Sequence, residues 1–167
     1  MRKVSTLVLV QKKQKQQILL GMKKRGFGVG KWNGFGGKVE AGESVFEGAI
    51  REIQEEAFIT PVGMRQAGLL AFDFPDGSCK PLLVHVFKAT EYEGEISESE
   101  EMKPAWFAND AVPFEEMWED DKLWFPYMFE DRPFVGRFTF KDLHTMVKHD
   151  IKELGEGESF EELAKTI

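Results

Sequence analysis

Apolar residues in this chain come in short runs broken by glycine, proline and charge. Leu7 to Val10 anchors a strand predicted over Ser5–Val10. A lysine-rich stretch, Gln11 to Gln17, separates it from a second apolar run that starts at Ile18, and the two read as a hairpin. Strands are also predicted over Gly68–Phe74 and Leu82–Ala89, with the turn signal Pro75-Asp76-Gly77 between them. Late strands are expected over Phe134–Lys141 and Thr145–Leu154, and Glu91–Glu101 reads as an acidic loop. One segment has a clear helical period. Val45, Ala49, Ile53 and Ala57 recur every four residues. Ser44 followed by Glu47 has capping-box spacing, so the helix is set at Ser44–Ala57. Shorter helical pieces are expected at Pro113–Met117, at Lys122–Phe129 and after Ser159. The pattern is mixed α and β with a mostly strand core.

Composition narrows the class. The chain has 167 residues with 42% apolar and 31% charged side chains, which suits one globular domain over 1–167. The tail 155–167 has no assigned role. The run Leu7–Val10 is too short for a membrane span or a signal-peptide core. Cys79 is the sole cysteine, so no internal disulfide forms, which fits a reducing cytoplasmic setting without separating it from a mitochondrial or nuclear one. Nothing points to oligomerisation, and a monomer is expected.

The net charge of −7 hides an asymmetry. Residues 1–39 carry ten Lys or Arg and no acid, leaving −17 on the rest. A protein that binds nucleic-acid polymers through phosphates is usually net basic, so no polymer partner is expected. A small anionic ligand between a basic wall and a cation-loaded acidic wall accounts for both halves. Chance clustering on solvated strands accounts for them too. Between Gly26 and Gly37 lie six glycines, interleaved with Phe27, Trp32 and Phe35. That density implies tight turns and close backbone approach.

The stretch "GGKVEAGESVFEGAIREIQEEAF" crowds Glu52, Glu55 and Glu56 onto one helix face. Fully solvated, such a face costs little. In a cleft the carboxylates repel, and a divalent cation removes the cost. An all-oxygen set without His or Cys favours Mg²⁺ or Mn²⁺ over zinc. The spacing decides between the two readings. Gly37 is followed after five residues by Glu43, then after seven by Arg51-Glu52-Ile53, then by Glu55-Glu56 and Ile59. This layout resembles the signature of the Nudix hydrolases.

That resemblance implies an α+β Nudix fold, with a mixed central β-sheet packed between helices. It implies Mg²⁺-dependent hydrolysis of a nucleoside diphosphate linked to another group, with Mn²⁺ as a substitute. It carries metal ligation to Glu52, Glu55 and Glu56 and to the Gly36 carbonyl, with Glu101 as a further carboxylate. It implies that Arg51 orients the acids, that Glu43 supports the loop and that Glu56 is the general base. Phe58 stands where the signature has glycine, so it must keep φ below zero or accept strain. The strings "LLGMKKRGFGVGKWNGFGGKVE", "VHVF", "EEMKPAWF" and "MWEDDKLWFP" resemble the animal members of that family acting on oxidised purine nucleoside triphosphates. This implies nucleotide contacts from Thr6, Lys23, Asn33 and Phe35-Gly36-Gly37-Lys38.

Base recognition is expected from "MWEDDKLWF". Trp118 offers a face for a purine. Asp120 and Asp121, if both in one dry pocket, would share a proton, and Asn33 can donate and accept at once. Such a set reads 8-oxoguanine and, after a proton shift, 2-oxoadenine. The same residues would also suit a half-buried anchor with a solvated helix cap. Phe27 and Phe72 are expected as pocket walls and Leu82 as an apolar one. Glu119 is placed with this group as a third carboxylate that points outward. Rival readings are a Nudix enzyme for dinucleotides, nucleotide sugars or capped RNA, and a noncatalytic nucleotide-binding module. A calcium-binding structural protein lacks the alternating acidic loop it would need.

Overall fold

The computed structural model describes residues 1–167. In chain order the strands are β1 (Lys3–Lys12), β2 (Gln17–Lys23), β3 (Trp32–Asn33), β4 (Ile59–Val62), β5 (Arg65–Asp73), β6 (Leu82–Ala89), β7 (Glu91–Gly94), β8 (Met102–Ala108), β9 (Phe134–Phe140) and β10 (Met146–Glu153). The helices are α1 (Val45–Ala57), α2 (Asp121–Phe129) and α3 (Phe160–Thr166). No helix is long and apolar enough to cross a membrane.

β1 is apolar on both faces because it lies inside the sheet. Leu7 and Leu9 face one core, and Val8 and Val10 face another. The main sheet runs β10-β9-β5-β6-β1-β2-β3, with β8 also on β2. β1 pairs with β6, and β5 with β9, in parallel; the other pairs are antiparallel. α1 covers one face through Ala49, Ile53 and Ala57, and α2 covers the other through Trp124, Phe125 and Met128. α3 lies over Leu69, Ala71 and Leu83, on the same side as α1. The sheet is therefore mixed and packed between helices.

Several boundaries move. The lysine-rich connection shrinks to the turn Lys13–Gln16, because β1 runs on to Lys12 and β2 starts at Gln17. Glu91–Glu101 is not all loop: β7 pairs antiparallel with β4. Alternation was masked there because acids occupy an exposed edge. β8 was not predicted either. Pro104 interrupts its pattern, which an edge strand tolerates, and its register against β2 sets Pro104 beside Gly21.

α1 begins with the predicted capping box: Ser44 Oγ accepts from Glu47 N at 3.0 Å, and Glu47 Oε1 accepts from Ser44 N at 2.9 Å. Its end is strained. Phe58 adopts φ 62°, ψ 27°, the left-handed cap, with its N–H donating to Gln54 O at 3.1 Å. Of the two options open to a phenylalanine there, the chain takes the strained one.

Candidate active site

The glycine-rich segment is laid along β1. Val8 N donates to Phe35 O at 2.6 Å, Phe35 N to Val8 O at 3.0 Å, and Thr6 N to Gly37 O at 2.9 Å. A Cβ on Gly36 would fall 1.8 Å from the Thr6 carbonyl oxygen, and one on Gly37 2.6 Å from Glu52 Oε1. Only glycine allows this approach, which sets the Gly36–Lys38 backbone beneath the acidic face of α1.

Arg51 organises that face. Its Nε and Nη2 donate to the two oxygens of Glu43 at 3.0 and 2.7 Å, a bidentate fork. Nη1 donates to Glu52 Oε1 at 3.0 Å and Glu55 Oε2 at 3.3 Å, and Nη2 also reaches Lys38 O at 3.1 Å. The fork holds the Glu43 carboxyl down at about 2, helped by the Glu40 backbone. Burial raises the Glu52 carboxyl, and the Arg51 contacts oppose the rise.

Glu56 sits deeper, at 4% exposure. Its Oε1 accepts from Gly36 N at 2.9 Å, and its Oε2 lies 4.0 Å from Lys23 Nζ. Burial pushes its carboxyl up to about 7, against the pull of Lys23 and the Gly36 N–H. Lys23 is shared with Glu101 Oε2 at 3.1 Å, and Arg25 binds the other Glu101 oxygen at 2.7 Å. Those cations hold the Glu101 carboxyl below its usual range.

A cavity of about 470 Å³ runs from this acidic face to the start of α2. At its far end Asp120 and Asp121 are each 3% exposed. Asp120 Oδ2 accepts from Trp124 Nε1 at 2.9 Å, while Asp121 Oδ2 is buried with no partner. Burial raises both carboxyls, and the charge of Asp120 raises Asp121 further. At neutral pH the pair cannot comfortably hold two negative charges, so it retains a proton.

Of the residues singled out from the sequence, Thr6, Lys23, Phe27, Asn33, Gly36, Gly37, Lys38, Glu56, Phe72, Trp118, Asp120 and Asp121 line this one cavity, as does Leu82. Glu52, Glu55, Arg51 and Glu101 stand around its acidic end. Phe35 does not reach it. The ring is fully buried in the cluster under α1, because Phe35 bridges Val8 and shares its face. Its backbone, not its ring, serves the site. Glu119 also lies off the cavity, where its Oε2 accepts from Met146 N at 3.0 Å. Missed from sequence were Lys3, Lys31 and Lys80 and the apolar Leu143. The basic N-terminal third was a signal for Lys3 and Lys31 as a group. Nothing local marked Leu143.

The NUDIX domain profile matches residues 1–128. The chain belongs to the Nudix family. It is 48% identical over 152 residues to a Danio rerio protein named oxidized purine nucleoside triphosphate hydrolase, covering 91% of this chain and 96% of that one. The Mus musculus protein of the same name is 46% identical over 149 residues, covering 89% and 94%. Among solved structures, the mutator MutT protein from Bacillus halodurans superposes with a TM-score of 0.79 at 32% identity, covering 90% of this chain and 97% of that one.

Nudix hydrolases use divalent metal ions, and the donor set of this Nudix chain fits one. The acids on α1 and Glu101 supply only hard oxygen donors around a buried Glu56. No three acidic, His or Cys side chains yet converge on a point, because Arg51 holds Glu52 and Glu55, and Gly36 N holds Glu56.

Proposed function

We propose that this chain hydrolyses oxidised purine nucleoside triphosphates, such as 8-oxo-dGTP and 2-oxo-dATP, to the monophosphate and pyrophosphate, and so clears altered nucleotides from the pool. The observation that carries the reading is that two adjacent buried carboxyls, Asp120 and Asp121, line one cavity together with Asn33, Lys23, Lys38 and the buried Glu56. The names of the fish and mouse relatives support it.

In this reading the purine lies against Trp118, with Phe72 and Leu82 as apolar walls. Asn33 and the Asp120–Asp121 pair bond its edge. Where the pair's proton sits sets which oxygen donates, so the pair accommodates two donor–acceptor patterns. Lys23 and Lys38 neutralise the phosphates, and Thr6 and the Gly36–Lys38 backbone position them. Glu52, Glu55, Glu56, Glu101 and the Gly36 carbonyl would hold Mg²⁺, with Mn²⁺ as a substitute. When bound, the ion supplies charge neutralisation and a more acidic water. Glu56, buried and within hydrogen-bond reach of the Gly36 backbone, takes the proton of the attacking water. Water adds to phosphorus as the phosphoanhydride P–O bond breaks and pyrophosphate leaves. The reading is completed by a monomer acting on free nucleotides, and the lone Cys79 suits a reducing, cytosolic setting.

The test is pyrophosphate release in Mg²⁺ from 8-oxo-dGTP, 2-oxo-dATP, dGTP and a dinucleoside polyphosphate, for the wild type and Glu56→Gln. The oxidised triphosphates should be preferred at least about tenfold, which one well-made polar contact provides. Equal rates on dGTP, or undiminished release by Glu56→Gln, would overturn the reading.

A further inference from the structure

The hairpin between β9 and β10 touches the base pocket through a residue that no reading above uses. Trp118 has two near-parallel neighbours. The Phe27 ring lies 5.1 Å away at 21°, and the His144 ring lies 6.2 Å away at 7°. Phe27 lines the cavity and His144 does not, although its neighbour Leu143 does. His144 meets the site at Trp118.

The hairpin that presents His144 is built for a fixed turn. Asp142 Oδ1 accepts from His144 N at 2.8 Å and Thr145 N at 2.9 Å, and Lys141 N donates to Thr145 O at 2.8 Å. The β9–β10 register is irregular between Met146 and Lys148. At this irregularity the Met146 N–H donates to Glu119 Oε2. Glu119 directly follows Trp118, so that one hydrogen bond ties the tryptophan's segment to the hairpin. The carboxylate placed with the base-reading group on sequence alone has a different partner in the fold.

We infer that His144 and Glu119 are positioning residues that preset the plane of the Trp118 ring for a flat purine. This rests on the proposed base pocket. Parallel aromatic rings at 4.5–7 Å centroid spacing attract each other beyond simple burial. A ring held in its bound orientation spares the ordering cost at binding. The gain falls on substrate affinity and not on the chemical step, since neither residue touches the acidic end of the cavity.

The experiment is steady-state kinetics on 8-oxo-dGTP together with ¹⁹F spectra of protein labelled with 5-fluorotryptophan, the Trp118 resonance being assigned by Trp118→Phe. His144→Ala should raise KM about fivefold and change kcat by less than twofold. His144→Phe, which keeps an aromatic ring, should restore KM. Glu119→Ala should act in the same direction, and Glu119→Gln, which keeps an acceptor for Met146 N, should not. The Trp118 resonance should move in the two alanine variants with no substrate present. A wild-type KM in His144→Ala, or an unmoved Trp118 resonance, would overturn the inference. If the wild type shows no preference for oxidised triphosphates, the pocket assignment fails instead, while the substrate-free spectra still decide the ring contact.

Discussion

Glu56 Oε1 accepts a hydrogen bond from Gly36 N at 2.9 Å across twenty positions of sequence. It joins the acidic helix to the glycine segment at the one acid of α1 that is buried. Its carboxyl, raised from 4.5 to about 7, favours the neutral form in the folded state. The unfolded chain ionises first as pH rises, so this group weakens the fold between pH 4.5 and about 7, with no further loss above. In EDTA, Glu56→Gln should match the wild type near pH 4.5 and be about 3 kcal/mol more stable at pH 8. Mg²⁺ should shrink that difference. Denaturant unfolding at both pH values, with and without metal, reads it.

Arg51 uses both edges of its guanidinium, so Lys is no substitute. Arg51→Lys should lower kcat more than tenfold and cost about 1–2 kcal/mol, because the fork to Glu43 cannot be rebuilt by an ammonium. Turnover and a melting curve on the same preparation check both parts.

Asp120 shares its buried site with Asp121 and accepts from Trp124 Nε1. Asp120→Asn keeps the shape but removes the movable proton. Its kcat/KM on 8-oxo-dGTP should fall by about a hundredfold, on the order of 3 kcal/mol of transition-state stabilisation. Turnover within threefold of the wild type would refute proton sharing.

Phe58 holds the left-handed cap at φ 62° and is 53% exposed. Phe58→Gly should be at least as stable as the wild type, since strain relief offsets the lost ring contacts. Phe58→Ile, β-branched at positive φ, should lose about 1–2 kcal/mol. Urea midpoints of the three proteins provide the comparison.

Phe160, Leu163 and Ala164 of α3, with Ile167 just after it, cover Leu69, Ala71 and Leu83, and none of them lines the cavity. Ending the chain after Leu154 should cost about 2 kcal/mol by re-exposing that patch. kcat/KM should stay within twofold. A loss of activity with stability intact would assign the tail a direct role.

Much of the acidic end was legible in the sequence, because a helix face is a local property. Ser44 and Glu47 cap α1, the spacing of Ala49 and Ile53 buries one side, and Glu52, Glu55 and Glu56 follow onto another by period alone. The base end was harder. Asp120 and Asp121 were visible as neighbours, but their burial depends on α2 closing over the sheet. β8 hid behind Pro104, since an edge position is a fact of sheet order and not of local pattern.

The sequence by itself determined the family, the acidic helix and which residue types were available for phosphate and base. Spacing along one chain segment encodes those directly. Only the tertiary structure decided that Glu56 alone among the acids of α1 is buried, that the Phe35 ring points into the core, and that Glu119 holds a hairpin. Each of these turns on contacts between segments far apart in sequence, and such contacts follow from how the sheet and helices pack as a whole.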